Sequence, residues 1–221
     1  MLERVKKKKN IQYFWVFVLG SMFGVIYEES LHMIKYFFRH GSFNWARRRG
    51  LLYGPFNPVY GVGALLMTIF LADKKDKWYV TFLKAAFLGG STEFIASFLQ
   101  EKICGNVSWD YSNHFLNYNG RTSVPVMIAW GILGIFFLKV IYPVLNKIVE
   151  NTMKHVKLSI TILMMIFMSF DIFFTGIVVL RQSLRHNGVK QYTVIDQLLD
   201  TYFDDDYIKK KYPNSFVKRE R

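Results

Sequence analysis

A chain of 221 residues that is 52% hydrophobic yet carries a formal charge of +13 is greasy and basic at once, the combination of a membrane protein with cationic flanks. Placement, rather than charge, excludes a nucleic-acid binder: the Lys and Arg residues sit at the ends of apolar runs instead of interleaving with soluble structure. Cys104 is the only cysteine, which excludes an intrachain disulfide framework and a multi-cysteine metal site.

Residues 1–10 form a basic N-terminal flank, residues 11–180 a transmembrane domain and residues 181–221 a polar C-terminal tail. Lys6 to Lys9 and the apolar run behind them resemble the head and core of a signal peptide. The run is too long for one and no small-x-small site follows it, so it is read as a retained anchor. Five segments reach or approach the roughly 20 residues that a helix needs to cross ~30 Å of hydrocarbon. They are residues 11–31, 56–72, 78–99, 124–142 and 158–180. The expected fold class is therefore all-α, a polytopic membrane helix bundle with about five transmembrane helices and a partly irregular polar loop after the third. The short loop 73–77 makes the second and third spans a hairpin.

Small residues at helical spacing, Gly20 and Gly24, then Ala86, Gly89 and Gly90, then Gly131 and Gly134, predict close helix packing in lipid. Five spans put the loop after the first span, the loop after the third and the C-terminal tail on one face. Basic residues are almost balanced between the two faces, so the orientation rests on the first span, which favours an inside N-terminus. Within the tail, residues 194–203 fit a short amphipathic helix on the membrane surface, with a solvated tail as the commoner outcome.

The second span opens on RGLLYGPFNPVYGVGA, residues 49–64. Glycine permits unusual dihedrals and close backbone approach, and proline interrupts the helical ladder. Irregular backbone is tolerated at membrane depth only where protein or water covers it. The stretch is thus expected to line an interior cavity or a tight helix junction.

Charged groups within spans mark function by default. Here they are Glu28 and Glu29 at the end of the first span, Lys84 and Glu93 in the third, and Asp171 in the fifth. Ala86, Gly89, Gly90, Glu93, Ser97 and Gln100 recur at steps of three or four, one small-and-polar face turned away from lipid. Arg47, Arg48 and Arg49 approach from the same end as Glu28 and Glu93, and Arg49 is expected to pair with one of them, for function or only to lock the fold.

The loop after the third span reads WDYSNHFLNYNGR. Trp109, Asp110, Tyr111, Ser112, Asn117, Asn119 and Arg121 offer either a surface for a small polar ligand or headgroup, or turn scaffolding. His114 has no companions at metal-ligand spacing, and zinc is not expected. The chain has no GxxxxGK[ST] loop, so any energy from ATP must come through another subunit.

SMFGVIYE ending at Glu28, RGLLYGPFNPVYGVGA from Arg49, Glu93, Glu101, WDYS from Trp109 and LNYNGR ending at Arg121 together resemble the bacterial ABC-transporter permease family called CmpB-like. The likeness extends over about residues 13–150 and includes Trp130, Gly131 and Pro143. The resemblance implies a multi-pass protein of the bacterial inner membrane, a permease subunit by role, with the lipid bilayer as its medium.

The leading functional reading is transport, through a cavity lined by Glu28, Arg49, Tyr53, Asn57, Tyr60 and Glu93 and covered by the loop 109–121. Five spans are few for a pathway, which favours a separate ATPase subunit or a homo-oligomer; no cofactor and no nucleic acid is expected. An intramembrane hydrolase using Glu28, Glu29 or Glu93 to activate water is the alternative. The paired glutamates invite comparison with CAAX-type proteases, but Met33 stands where those need an arginine. A third reading is a non-catalytic scaffold or sensor. No catalytic residue is assigned.

Overall fold

A computed structural model describes residues 2–44, 50–155, 158–213 and 215–217. Helix α1 (Leu2–His40) is longer at both ends than its apolar run. Nothing within it breaks the ladder until Gly41, whose left-handed φ of 67° and N–H bond to the Phe37 carbonyl close the last turn. Helix α2 (Pro58–Leu71) begins where it must. Pro58 occupies the first turn, where its missing N–H is not needed, and the Asn57 side chain caps the Val59 N–H. Helix α3 (Trp78–Cys104) stops at Gly105, which again takes a left-handed φ and bonds the Glu101 carbonyl.

Helix α4 (Val124–Phe136) continues through a π turn, Phe137–Ile141, into α5 (Tyr142–His155). Pro143 has no N–H for the Lys139 carbonyl, and Tyr142 reaches back five residues to Phe137, which widens the helix there without ending it. Helix α6 runs over Leu158–His186. Among the described residues, four helical stretches are long and apolar enough to cross a membrane: Lys9–His40, Trp78–Cys104, Val124–Val149 and Leu158–His186. The remaining expected span, residues 56–72, folds as the 14-residue α2, about 21 Å long and shorter than the hydrocarbon layer. The chain is an all-α membrane helix bundle.

Packing follows the small residues. Helix α1 lies along α2, α3 lies along α4, and α2 bridges to α3. Val16, Ala64, Met67, Ala85 and Trp130 form the centre of the main core. The predicted face of α3 is inward: Ala86, Gly89, Gly90, Glu93 and Ser97 are buried, and Gln100 is half-buried. Phe87 and Ile95 on α3, with Leu163 and Phe173 on α6, are exposed on the outer surface that lipid covers.

The tail departs from the solvated segment expected. Helix α7 (Val194–Tyr202) forms where the amphipathic pattern placed it, begun by a capping box between Thr193 and Asp196. Helix α8 (Asp205–Lys211) follows, capped by Asp204. Both fold back onto the bundle, burying Leu199 and Ile208 with Leu52 and Val178. Asp200 takes Arg181 at 2.7 Å and Arg185 at 2.6 Å, while Arg185 also holds Asp205 at 2.8 Å. The tail's acidic residues thus find partners on the end of α6, which composition alone does not disclose. A final strand β4 (Phe216–Val217) pairs antiparallel with β1 (Asn106–Val107), placing Val217 opposite Asn106. A small hairpin of β2 (Asn117–Tyr118) and β3 (Thr122–Ser123) leads into α4.

Candidate functional site

The irregular stretch before α2 is a helix junction, as expected. The Asn57 N–H donates to the Ser21 carbonyl at 3.0 Å, its side-chain amide donates to Glu28 Oε1 at 3.3 Å, and its Oδ1 accepts from the Val59 N–H at 3.2 Å. One residue therefore starts α2, ties it to α1 and orients a carboxylate.

Aromatic rings fill the space beside this junction. Tyr60 stacks on Trp130 with ring centroids 5.2 Å apart and meets Tyr27 edge-on at 6.0 Å. Their closeness requires glycine on two neighbouring helices. A Cβ at Gly24 would stand 2.2 Å from Tyr60 Cγ, and one at Gly89 would stand 2.2 Å from Trp130 Cγ.

Glu93 faces these rings from α3 and is only 7% exposed. Trp130 and Tyr111 are the hydrogen-bonding side chains turned toward it, and the charge of Glu28 acts on it across the junction. Among the described residues, nothing donates to Glu93 Oε2. Tyr27, Tyr60 and Tyr111 each sense both carboxylates. Burial first, and the Glu93 and Glu28 charges after it, push the Tyr111 hydroxyl well above its ordinary pKa. Tyr111 is therefore a protonated donor at any physiological pH. Two carboxylates, three phenols, an indole and an amide thus gather at one helix junction.

The structure brings Glu28, Asn57, Tyr60, Glu93 and Tyr111 together, and separates other expected site residues from them. Arg49 lies outside the described residues, and with it the expected pair to Glu28 or Glu93. Tyr53 turns to α6, its N–H donating to Asp171 Oδ1 at 3.1 Å and its ring stacked on Phe174. Arg121 is buried, pairs with Glu101 at 2.7 Å, and lies over the Phe98 and Phe94 rings.

Much of the loop's polarity is turned on itself. Asp110 Oδ1 accepts from the Ser112 N–H at 2.9 Å and hydroxyl at 2.5 Å. Asn117 donates to the Ser112 and His114 carbonyls and accepts from the Gly120 N–H. Trp109 donates to the Arg121 carbonyl at 2.9 Å, and Asn119 takes a positive φ of 52°. These bonds form the turn that carries Tyr111, whose own N–H is held by the Gly120 carbonyl at 2.8 Å. Tyr27 and Trp130 join the cluster although neither lies on a polar helical stripe of its own. In the sequence, Tyr27 is marked by its position beside Glu28, and Trp130 by the family likeness alone.

No curated protein and no solved structure matches the chain. The family model described as "Putative ABC-transporter type IV" matches residues 15–176, which contain α2 to α4 and every residue of the Glu28 and Glu93 cluster. With most of its length matched, this multi-pass membrane chain belongs to that ABC-transporter-type family.

Proposed function

We propose that the chain is a permease-like subunit of a transport system in the bacterial inner membrane, with its polar guest handled at Glu28 and Glu93. The observation that carries this reading is the buried Glu93 carboxylate, with Oε2 lacking a donor among the described residues and Tyr111, Trp130 and Glu28 arranged around it. A purely structural carboxylate inside a bundle is expected to have its hydrogen bonds completed by protein. A site that exchanges a guest keeps one position open.

On this reading Tyr27, Asn57 and Tyr60 line the site, and the loop bearing Tyr111 covers it. The chain has no phosphate-binding loop of the GxxxxGK[ST] type, so ATP-driven transport requires a separate ATPase subunit; a homo-oligomer would complete a pathway that one short bundle does not enclose. The test is to purify the wild type and Glu93→Gln and to identify by mass spectrometry the small molecules each retains. A molecule carried by the wild type and absent from an equally abundant, folded Glu93→Gln supports the site. Identical retention, or parallel loss of abundance, favours the scaffold reading.

A further inference from the structure

The end of the C-terminal tail reaches both segments that flank Glu28 and Glu93. The first is the irregular stretch before α2. Its Leu52 and Tyr53 N–H groups are taken by α6, on the Thr175 hydroxyl at 3.0 Å and Asp171 Oδ1 at 3.1 Å. Leu52 is buried, and with no helix around it the carbonyl needs a partner from elsewhere in the chain. Lys211 Nζ, at the end of α8, donates to that carbonyl, and Ile208 shares a buried cluster with Leu52. Five residues beyond Leu52, Asn57 holds Glu28.

The second segment opens the loop after α3. Asn106 is fully buried; its Oδ1 accepts from the Gln100 amide at 3.0 Å, and its own amide donates to Ser215 Oγ at 3.3 Å. The backbone of β4 pairs at the same place, with Phe216 opposite Val107. Ser108 is fastened to Gln100 at 3.0 Å, and the turn that carries Tyr111 follows directly.

Between these anchors the tail is short and shaped. Helix α8 stops at Lys211, Pro213 cannot continue the ladder, and the Ser215 N–H closes a turn on the Tyr212 carbonyl at 3.0 Å. The four residues from Lys211 to Ser215 could span at most ~14 Å if extended, and the turn shortens them. One anchor therefore cannot shift far without pulling on the other. Both anchor points lie within residues 15–176, which the family model matches, and the tail lies beyond them.

We propose that residues 211–217 act as a strap coupling the junction at Asn57 to the loop bearing Tyr111, so that release of either anchor loosens both walls of the Glu28 and Glu93 cluster. Lys211 and Ser215 are positioning residues that act through Leu52 and Asn106. The Asp200 bonds to Arg181 and Arg185 keep the rest of the tail on α6 when the strap lets go. The strap rests on the tail's geometry and is independent of the permease reading, whatever the cluster binds.

Hydrogen exchange read by mass spectrometry on the full chain in detergent tests the coupling. Lys211→Met removes the donor and keeps the apolar stem. It is expected to speed exchange several-fold over residues 52–61, its own anchor, and also over residues 106–123, at the other one. Ser215→Ala is expected to loosen the same two segments, and the double variant to add little to either change. Lys209→Met, at an exposed neighbouring lysine, is expected to change neither segment. The helical amides of α3 and α4 should keep wild-type protection throughout, which shows that the bundle is folded. Should Lys211→Met not fold, Ser215→Ala decides alone. Loosening confined to the near anchor, wild-type exchange at both segments, or loosening that spreads equally through α3 and α4 would each overturn the proposal.

Discussion

Gly89 lies against the indole of Trp130 so closely that a Cβ on residue 89 would come within 2.2 Å of the ring. Trp130 in turn stacks on Tyr60, so the position of the aromatic wall beside Glu93 depends on a glycine in the same helix as Glu93. Gly89→Ala is expected to destabilise the bundle by about 1–3 kcal/mol through overpacking. Gly176→Ala, where a Cβ meets nothing within 4 Å, is expected to be neutral or stabilising by up to about 1 kcal/mol. Thermal unfolding of the purified variants in detergent measures both, and equal effects would contradict the packing account.

Arg121 and Glu101 form the ion pair that holds the base of the polar loop on α3. Glu101→Gln leaves a buried guanidinium without its carboxylate and is expected to cost about 3 kcal/mol. Arg121→Lys is expected to be nearly as damaging, because an ammonium replaces neither the planar contact over Phe98 nor the fork geometry. Denaturant unfolding in detergent reads the loss. A Lys variant as stable as the wild type would reduce the role of Arg121 to its charge.

The tail has a defined pH response. Hydrogen bonding from Arg181, supported by Arg185 and Gln191, holds the Asp200 carboxyl well below its ordinary range. A carboxylate with a depressed folded pKa stabilises the folded state fully above its unfolded value of about 4, and the contribution fades as pH falls through the folded value. Amide protection in α7, corrected for intrinsic exchange, should therefore hold from pH 7 to about 5 and decline below pH 4. Asp200→Asn should be weaker at neutral pH and lack that acid step. A transition of wild-type α7 near pH 6 would point to a different group.

The spans and the inward face of α3 were legible because lipid imposes a strong pattern: apolar runs bounded by Lys and Arg, with Ala86, Gly89, Gly90, Glu93 and Ser97 on one helical stripe. The junction at Asn57 was legible from its prolines and glycines. Pairings across the chain were harder. Arg121 meets Glu101 on the helix before its own loop, while Lys211 reaches the Leu52 carbonyl from the tail. Periodicity describes one element at a time, and these partners meet only after the elements have packed. The tail looks solvated in the sequence for the same reason: its aspartates resemble surface charge until Arg181 and Arg185 are placed beneath them.

Glu93 ties the aromatic wall, the Tyr111 loop and the junction at Asn57 into one place, and the proposed transport role gives that place a partner. Affinity purification from native membranes, with the tag at the N-terminus and away from the docked tail, tests the role most directly. The account predicts that an ATPase with a phosphate-binding loop co-purifies at fixed stoichiometry. Recovery of the chain alone, or only with copies of itself, under conditions that preserve membrane complexes would contradict an ATP-driven permease subunit.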